Sequence, residues 1–447
     1  MAEAHGMGQS VKRKEDARFI RGQGHYIDDI KLPDMLWLDI VRSPLAHAKI
    51  KSINKEKALK VPGVAAIITG ADLVPYKLAW MPTLMSDQQM VLPVDTVMYY
   101  AQEVAAVIAT SRYAAADGVA AVEVDYEPLT PVLDPKKALE PGAQVIRDDK
   151  KSNRIWHWEV GDRAATDAEI KSAEVVVKED IYIPRIHVAS IETCGCVASW
   201  NPVEGHLTLY MTTQAPHAIR TVVALVTGHL GLAEHKIRVI SPDIGGGFGG
   251  KVPVYPGYVL ATAASVLTGK PVKWIEDRSE NLQADSFARD YHIHAELAAK
   301  KDGKITAMKM GVVAYHGAFD AAANPSKFPA GLFSIATGSY DFQKAFAEVD
   351  GVYTNKLPGG IAYRCSFRVT EAVHAIECMV DVLAHKLNMD PATLREKNFI
   401  KPEQFPYKSA LGWEYDSGNY KGALDKAKQI IGYDALRKEQ AEKRKRG

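Results

Sequence analysis

A run of glycines at residues 245–250, broken only by Phe248, constrains the fold of this chain more than any other stretch. An apolar, β-branched segment at residues 236–240 precedes it, and a helix-like segment begins near Pro256 and stops at Gly269. Glycine has no side chain, so its backbone can adopt left-handed conformations and approach a ligand closely. The run therefore predicts a tight loop between a strand and a helix, with backbone N–H groups aimed at oxygen atoms of a ligand.

The same run matches two nucleotide-binding patterns. It fits G-x-G-x-x-G, and the acidic pair Glu276 and Asp277 ends the next predicted strand, as in a dinucleotide-binding fold. It also fits G-x-x-x-x-G-K, but Val252 stands where a phosphate-binding loop needs Ser or Thr, which removes that alternative. Pro253 and Pro256 delay the helix, so its N-terminus cannot lie directly under a pyrophosphate. Two alternatives stay open, a dinucleotide-dependent dehydrogenase and a loop against another bulky, charged cofactor.

A second turn carries a single cysteine, Cys365. Residues 357–360 (Leu-Pro-Gly-Gly) precede it, Arg364 and Arg368 flank it, and a helix-like run follows at residues 369–387. Guanidinium groups and a helix N-terminus lower the pKa of a thiol, so the thiolate can bind a metal or react. The alternative is a buried, inert cysteine, because free cysteine is among the most buried residue types.

Composition excludes several classes of protein. The formal net charge of +1 gives no electrostatic reason to expect nucleic acid as a partner. Four cysteines are too few for a disulfide scaffold and fit a reducing cytoplasm. Residues 1–16 lack the apolar core of a secretory signal, and the longest apolar run, residues 259–267, is too short to span a bilayer. We therefore expect a cytoplasmic protein without a transmembrane segment.

Hydrophobic periodicity predicts a mixed fold of strands and helices. The predicted strands are residues 35–42, 64–69, 103–109, 174–183 and 206–212, and the predicted helices are residues 111–122, 215–228 and 420–445, the last broken near Gly432. Residues 130–155 are rich in proline, lysine and aspartate, which is typical of a linker or surface loop.

Several motifs resemble one family. The turn Ala362-Tyr363-Arg364-Cys365-Ser366-Phe367-Arg368 resembles the active-site loop of the molybdenum-bearing large subunits of aerobic carbon monoxide dehydrogenases, in the xanthine oxidase group of molybdenum hydroxylases. The glycine run resembles that group's loop against the metal and its pterin, and residues 211–217 resemble the segment whose glutamine contacts a molybdenum oxo ligand. Residues 42–50 and 124–129 look like its N-terminal hammerhead domain.

The resemblance implies an α+β (mixed α/β) fold in four parts. These are a hammerhead domain at residues 17–135, a linker at 136–160, a first molybdopterin-binding domain at 161–402, and the beginning of a truncated second one at 403–447. Large subunits of this family continue through that second domain, which supplies a glutamate near molybdenum. We therefore expect this chain to be incomplete.

The resemblance also implies roles for individual residues. Cys365 would hold Cu(I) beside molybdenum, Arg364 and Ser366 would position the turn, and Phe248 and Phe367 would shape a narrow, dry pocket. The assigned residues are Cys365, Gln214 and Phe367 for catalysis, Gln214, Gly247, Phe248, Gly249, Arg364 and Ser366 for cofactor binding, and Cys365 for the metal.

The implied reaction is oxidation of carbon monoxide with water to carbon dioxide, with release of two electrons. The implied cofactors are molybdopterin in its cytosine dinucleotide form, molybdenum and Cu(I). The chain has neither the four-cysteine pattern of an iron–sulfur protein nor a convincing flavin motif, so the resemblance implies 2Fe–2S clusters and FAD on partner subunits. The resemblance further implies a dimer of heterotrimers and leaves peripheral attachment to the inner face of the membrane open. Three alternatives remain beside carbon monoxide oxidation. They are a copper-free molybdenum hydroxylase acting on an aldehyde or N-heterocycle, an NAD-dependent dehydrogenase built on the glycine run, and a truncated, non-catalytic subunit.

Overall fold

A computed structural model describes residues 6, 9–82, 87–319, 334–359, 363 and 366–447 of the 447-residue chain, with only the backbone described for residues 82 and 366–369. Two large sheets, each covered by helices, give the expected mixed α+β class. The seven-stranded sheet has the spatial order Ile237–Ile240, His206–Met211, Gly195–Asn201, Val272–Ile275, Leu36–Arg42, Glu103–Ala109 and Val64–Thr69. The five-stranded sheet has the order Val175–Ile183, Tyr291–Ala299, Ile305–Gly317, Lys344–Tyr353 and Arg154–Gly161.

Smaller elements complete the fold. A three-stranded sheet has the order Thr96–Val97, Ala48–Asn54 and Glu123–Pro128. Two further pairs of strands are Trp80–Pro82 with Gln88–Met90, and Tyr407–Lys408 with Glu414–Tyr415. The longer helices are Arg112–Ala121, Arg163–Ser172, Pro216–Thr227, Pro256–Thr268, Arg278–Ala284, Ser366–Lys386, Pro391–Asn398, Tyr420–Ile431 and Tyr433–Lys445. Short helical turns are Asp16–Phe19, Ile27–Asp29, Glu56–Leu59, Gly70–Leu73, Val74–Tyr76, Pro135–Ala138, Gly228–Leu230, Glu234–Lys236 and Pro402–Gln404. Within these described ranges, no helix is both long and apolar enough to cross a bilayer.

The seven-stranded sheet joins distant parts of the sequence. Leu36–Arg42 pairs in parallel with Val272–Ile275, with Leu36 opposite Val272. On its other side the same strand pairs antiparallel with Glu103–Ala109, whose seven residues are all buried. A strand buried on both faces reads as a continuous apolar run. The domain boundary predicted at residue 135 therefore does not separate two sheets.

Local sequence signals place most elements. Ser111 caps Arg112–Ala121 by accepting a hydrogen bond from the Ala114 N–H at 3.1 Å, as a serine before an alanine-rich helix predicts. Gly269 ends Pro256–Thr268 with a left-handed φ of +65°. The long helix Ser366–Lys386 buries one face against the five-stranded sheet, and its buried residues repeat at helical spacing. That face consists of Ala372, Ala375, Ile376, Met379, Val380, Leu383 and Ala384.

A strand lies within the predicted linker. Arg154–Gly161, which falls almost entirely in the predicted linker at residues 136–160, forms the edge strand of the five-stranded sheet and pairs with Lys344–Tyr353. Trp156, Trp158 and Val160 pack against that sheet's core. Alternation of apolar residues over a short segment is the signature of a strand with one buried face, and the charged composition of the preceding residues concealed it.

Candidate functional site

Two parallel strands bring the predicted site residues together. His206–Met211 and Ile237–Ile240 pair in parallel, with Tyr210 opposite Ile240. Because parallel strands end at the same edge of a sheet, Gln214 and the glycine run leave the sheet side by side. Ligands of α/β sheets bind beyond this carboxyl edge. The structure thus places Gln214, Gly247, Phe248 and Gly249 in one cluster.

The glycine run forms a tight loop with three residues in the left-handed region. Gly246 has φ +96°, Phe248 φ +46° and Gly249 φ +93°. The Gly250 N–H donates to the Gly247 carbonyl at 2.8 Å, which closes the turn. A positive φ is unusual for a bulky residue. Phe248 nevertheless adopts it, with 49% of its surface exposed, so the described residues alone do not form the predicted dry pocket around Phe248.

Gln214 is held against this loop by two hydrogen bonds. Its side-chain Oε1 accepts a hydrogen bond from the Gly249 N–H at 2.9 Å, and its backbone N–H donates to the Lys251 carbonyl at 2.9 Å. Since a backbone N–H must meet the amide oxygen, the amide nitrogen of Gln214 is directed elsewhere, and it has no acceptor in the described part of the chain. A Cβ at residue 247 would lie 2.5 Å from Gln214 Cδ, so only glycine there lets the Gln214 amide keep this position.

This arrangement suits a cofactor that carries oxo groups. The half-buried Gly246 and Gly247 also have backbone N–H groups without an acceptor among residues that the structure describes. Neutral N–H groups can donate hydrogen bonds to oxo or anionic oxygens without adding a charge to the site. The Gly249 N–H, in contrast, is already used by Gln214, so Gly249 acts through that side chain.

A buried ion pair locks the two ends of the loop. Glu192 Oε2 accepts from the Gly245 N–H at 2.7 Å and from the Lys251 ammonium at 2.9 Å. The Lys251 side chain is only 2% exposed, and a buried ammonium requires such a partner. A Cβ at residue 245 would lie 2.5 Å from Glu192 Cβ, which accounts for the glycine. The sequence did not predict this pair, because its members are 59 residues apart.

The start of the loop is tied to the N-terminal segment. Asp243 forms an ion pair with Arg18 and accepts a hydrogen bond from the His25 N–H at 2.8 Å. The Arg18 guanidinium lowers the pKa of Asp243 to about 2. Asp243 therefore stays ionised near neutral pH and keeps this side of the loop fixed.

The predicted copper-binding turn is described only at its edges. Arg364 and Cys365 lie outside the described residues, as do the side chains of Ser366 and Phe367, so the structure does not test their roles. Before the turn, Gly359 packs on Phe287, where a Cβ would lie 2.2 Å from the ring. Tyr363 accepts a hydrogen bond from Arg289 at its carbonyl, at 3.1 Å.

The flanks of this turn lie near the glycine run. Ala288, between Phe287 and Arg289, exchanges two backbone hydrogen bonds with Ile186, at 2.9 and 3.0 Å. Two residues further along, Val188 packs on the other end of the glycine run, since a Cβ at residue 250 would lie 3.3 Å from its side chain. The segments around Ile186 and Ala288 therefore connect the edges of the Cys365 turn to the glycine run.

A buried acidic cluster lies close to this site and was not predicted from the sequence. Cys194, Glu276 and Asp285 are buried, with potential ligand atoms within 4.8 Å of one another. The Cys194 thiol donates to Asp285 at 3.4 Å, and the Asn281 amide donates to Glu276 at 3.2 Å. Burial raises the pKa of all three acidic groups, that of Asp285 to about 6. Burial thus makes the charged form of each group less favourable than it would be in water.

The dinucleotide alternative does not fit the sheet. Ile237–Ile240 is an edge strand, and the next strand in the chain, Val272–Ile275, lies three positions away. The start of Pro256–Thr268 is buried, and a Cβ at Gly257 would lie 2.3 Å from the Trp274 ring. A pyrophosphate needs an accessible helix N-terminus directly after the glycines, which this chain does not provide.

Family models match most of the chain. One described as "Molybdopterin cofactor-binding domain" matches residues 146–399, and one described as "Aldehyde oxidase and xanthine dehydrogenase, a/b hammerhead domain" matches residues 21–130. The carbon monoxide dehydrogenase large chain of Hydrogenophaga pseudoflava is 56% identical over 451 residues, covering 98% of this chain and 56% of that protein. The nicotine 6-hydroxylase large subunit of Paenarthrobacter nicotinovorans is 34% identical, covering 99% of this chain and 54% of that protein.

Solved structures agree with these relatives. The Cu,Mo-CO dehydrogenase in its carbon monoxide reduced state matches with a TM-score of 0.95 at 57% identity, covering 98% of this chain and 56% of that one. Quinoline 2-oxidoreductase from Pseudomonas putida 86 matches with a TM-score of 0.91 at 32% identity, covering 98% of this chain and 56% of that one. This chain thus spans about half the length of the proteins that it resembles.

Proposed function

This chain belongs to the family of proteins with a molybdopterin cofactor-binding domain, and on that premise we propose that it is part of a large subunit that oxidises carbon monoxide. Carbon monoxide and water would give carbon dioxide, two protons and two electrons. The observation that carries the proposal is the arginine-flanked Cys365, in a chain 56% identical to a carbon monoxide dehydrogenase large chain.

Cys365 is proposed as the ligand of Cu(I). A thiolate is a soft donor, which Cu(I) prefers, and the adjacent Arg364 and Arg368 favour the thiolate form. Arg364 and Ser366 are proposed to position the turn, and Phe367 to shape the substrate pocket. The described edges of the turn support this placement, because Ile186 and Ala288 connect them to the glycine run.

Gln214, Gly247, Phe248 and Gly249 are proposed to bind the molybdenum cofactor. The Gln214 amide nitrogen and the Gly247 N–H would donate to oxygens on molybdenum, while the Gly249 N–H orients the Gln214 amide. Phe248 would cover the site once the cofactor is bound. When bound, the molybdenum centre would supply the oxygen and accept the two electrons, while Cu(I) would bind carbon monoxide.

The remaining assignments follow the same proposal. The cofactor would be the cytosine dinucleotide form of molybdopterin, and electrons would leave through 2Fe–2S and FAD groups on partner subunits. The proposed assembly is a dimer of heterotrimers in the cytoplasm, with peripheral attachment to the inner face of the membrane. Residues 403–447 would begin the second cofactor-binding domain.

Metal analysis tests the proposal. The chain is co-expressed with the proposed iron–sulfur and FAD subunits, and copper content, molybdenum content and carbon monoxide-dependent dye reduction are measured. We expect about one copper per molybdenum, and we expect Cys365→Ser to lose both the copper and the activity. Cys378→Ser is the matched control, since Cys378 lies on the helix that follows Cys365 and should leave both unchanged. Full activity in Cys365→Ser would contradict the copper assignment.

A second candidate function is hydroxylation of an N-heterocycle or an aldehyde without copper. The likeness to nicotine 6-hydroxylase and quinoline 2-oxidoreductase favours it. Molybdenum without copper, together with activity on a heterocycle or an aldehyde, would support this alternative. A chain with neither metal nor activity in the co-expressed assembly would instead be a non-catalytic subunit fragment.

A further inference from the structure

Two consecutive non-glycine residues beside the Cys365 turn have left-handed backbone conformations. Arg289 has φ +67° and Asp290 φ +75°, immediately before strand Tyr291–Ala299. Residues other than glycine rarely adopt this backbone region, and the conformation persists only where the surrounding structure fixes it. A strained segment of this kind often marks a functional constraint.

The contacts of Asp290 fix the segment from one side. Asp290 is fully buried and accepts hydrogen bonds from Arg185 at 3.3 Å and from the Tyr182 hydroxyl at 3.3 Å. The Lys356 ammonium lies 3.4 Å from the same carboxylate. Asp290 is therefore fixed by three groups, whereas the residue before it, Arg289, bonds to a different set of partners.

Arg289 joins the two described edges of that turn. One guanidinium nitrogen donates to Glu371 at 2.7 Å, and another donates to the Tyr363 carbonyl at 3.1 Å. The guanidinium also lies 5.6 Å from the centre of the Tyr363 ring. The Arg289 and Glu371 side chains are 5% and 0% exposed. Tyr363 is two residues before Cys365, and Glu371 is on the helix that begins one residue after it.

We propose that Arg289, braced by Glu371, is a positioning residue for metal binding at Cys365, because it ties Tyr363, before that residue, to the helix that follows it. Its planar guanidinium can bond two acceptors in fixed directions, which a lysine ammonium cannot reproduce. The role in metal binding rests on the function proposed above. The mechanical role, linking Tyr363 to the helix that carries Glu371, does not depend on which metal is bound.

The test compares three substitutions in the metal-free chain. Arg289→Met removes both contacts, Arg289→Lys keeps the charge but not the fork, and Arg289→Met with Glu371→Gln avoids an unpaired buried carboxylate. Two rates report on the turn, trypsin cleavage after Arg364 and Arg368, and alkylation of Cys365 by iodoacetamide, both followed by peptide mass spectrometry. We expect each rate to rise at least tenfold in all three variants.

Arg395→Met is the matched control. Arg395 also bonds two acceptors, Glu377 and Asp381, at 2.8 Å each on the distal half of the same helix, although both carboxylates are more exposed than Glu371. It should lower thermal stability without changing either rate at the turn. Unchanged rates in the Arg289 variants, equal acceleration in Arg395→Met, or full rescue by Arg289→Lys would overturn the proposal.

Cu(I) affinity separates this inference from the proposed function. We measure it by competition with a chromogenic Cu(I) chelator, and we expect at least a tenfold loss in Arg289→Met and none in Arg395→Met. If the cleavage and alkylation rates rise in Arg289→Met but Cys365→Ser does not affect Cu(I) binding, the copper assignment fails and the role of Arg289 stands. If Cys365→Ser abolishes binding and the turn rates are unchanged in Arg289→Met, the brace alone fails.

Discussion

Substitution of Gly247 by alanine should separate folding from cofactor binding. A Cβ at this position would lie 2.5 Å from both Cδ and Oε1 of Gln214, below any ordinary contact distance. Gln214 is exposed and flexible, so its amide can move away at little steric cost. The movement breaks the bond from the Gly249 N–H and leaves that buried donor unsatisfied, which costs about 1–3 kcal/mol.

A smaller term opposes this loss. The backbone of residue 247 is outside the left-handed region, so alanine can adopt it without backbone strain. Because alanine also restricts the unfolded chain more than glycine does, the substitution adds about 0.4–1 kcal/mol to the free energy of unfolding. We therefore expect the free energy of unfolding to fall by about 1 kcal/mol. Urea denaturation followed by tryptophan fluorescence measures this change. Molybdenum content should fall at least tenfold, because the Gln214 amide would no longer be held beside the cofactor.

Two variants make the test decisive. Gly228→Ala is the control, since a Cβ there meets no atom within 4 Å, and both stability and molybdenum content should be retained. The double variant Gly247→Ala with Gln214→Ala has no steric conflict at residue 247. Its molybdenum content should nevertheless stay low, because the Gln214 amide is absent. Full molybdenum content in either Gly247→Ala variant would refute the reasoning.

Three further predictions concern stability. Asp285→Asn should remove a pH dependence of stability. Burial raises the pKa of Asp285 to about 6 in the folded protein, so the wild type loses stability as the pH rises from about 4 through 6. Over this window the free energy of unfolding of the variant, relative to the wild type, should rise by roughly 1.4 kcal/mol per pKa unit, measured by urea denaturation at each pH. Gly359→Ala, which places a Cβ 2.2 Å from the buried Phe287 ring, should cost about 1–3 kcal/mol in the same assay. Ser111→Ala should cost about 1 kcal/mol by loss of the helix cap and leave molybdenum content unchanged.

Much of the secondary structure was predictable because its signals are local. The strands at residues 64–69 and 103–109 have the predicted bounds, and the C-terminal helix breaks at Gly432, which has φ +64°. The strand Arg154–Gly161 was missed although its apolar residues alternate. Its composition resembled the preceding loop, and only the partner strand Lys344–Tyr353 makes that alternation meaningful.

The candidate site was predictable only in its composition. Gln214, the glycine run and the Cys365 turn were named from motifs, but the Glu192–Lys251 lock and the Arg289–Glu371 pair were not. The members of these pairs lie 59 and 82 residues apart, so no single stretch of the sequence contains both partners. Their roles arise from burial, which makes an unpaired charge costly and an ion pair specific.

The amino-acid sequence by itself determined where the chain turns and which family it belongs to, because both depend on short stretches of residues. The tertiary structure alone decided that Gln214 lies against Gly249, 35 residues away, and that Arg289 reaches Tyr363 and Glu371, 74 and 82 residues away. Such contacts depend on the order and direction of strands within the sheets. That order is set by the packing of the whole core and leaves no mark on any single segment.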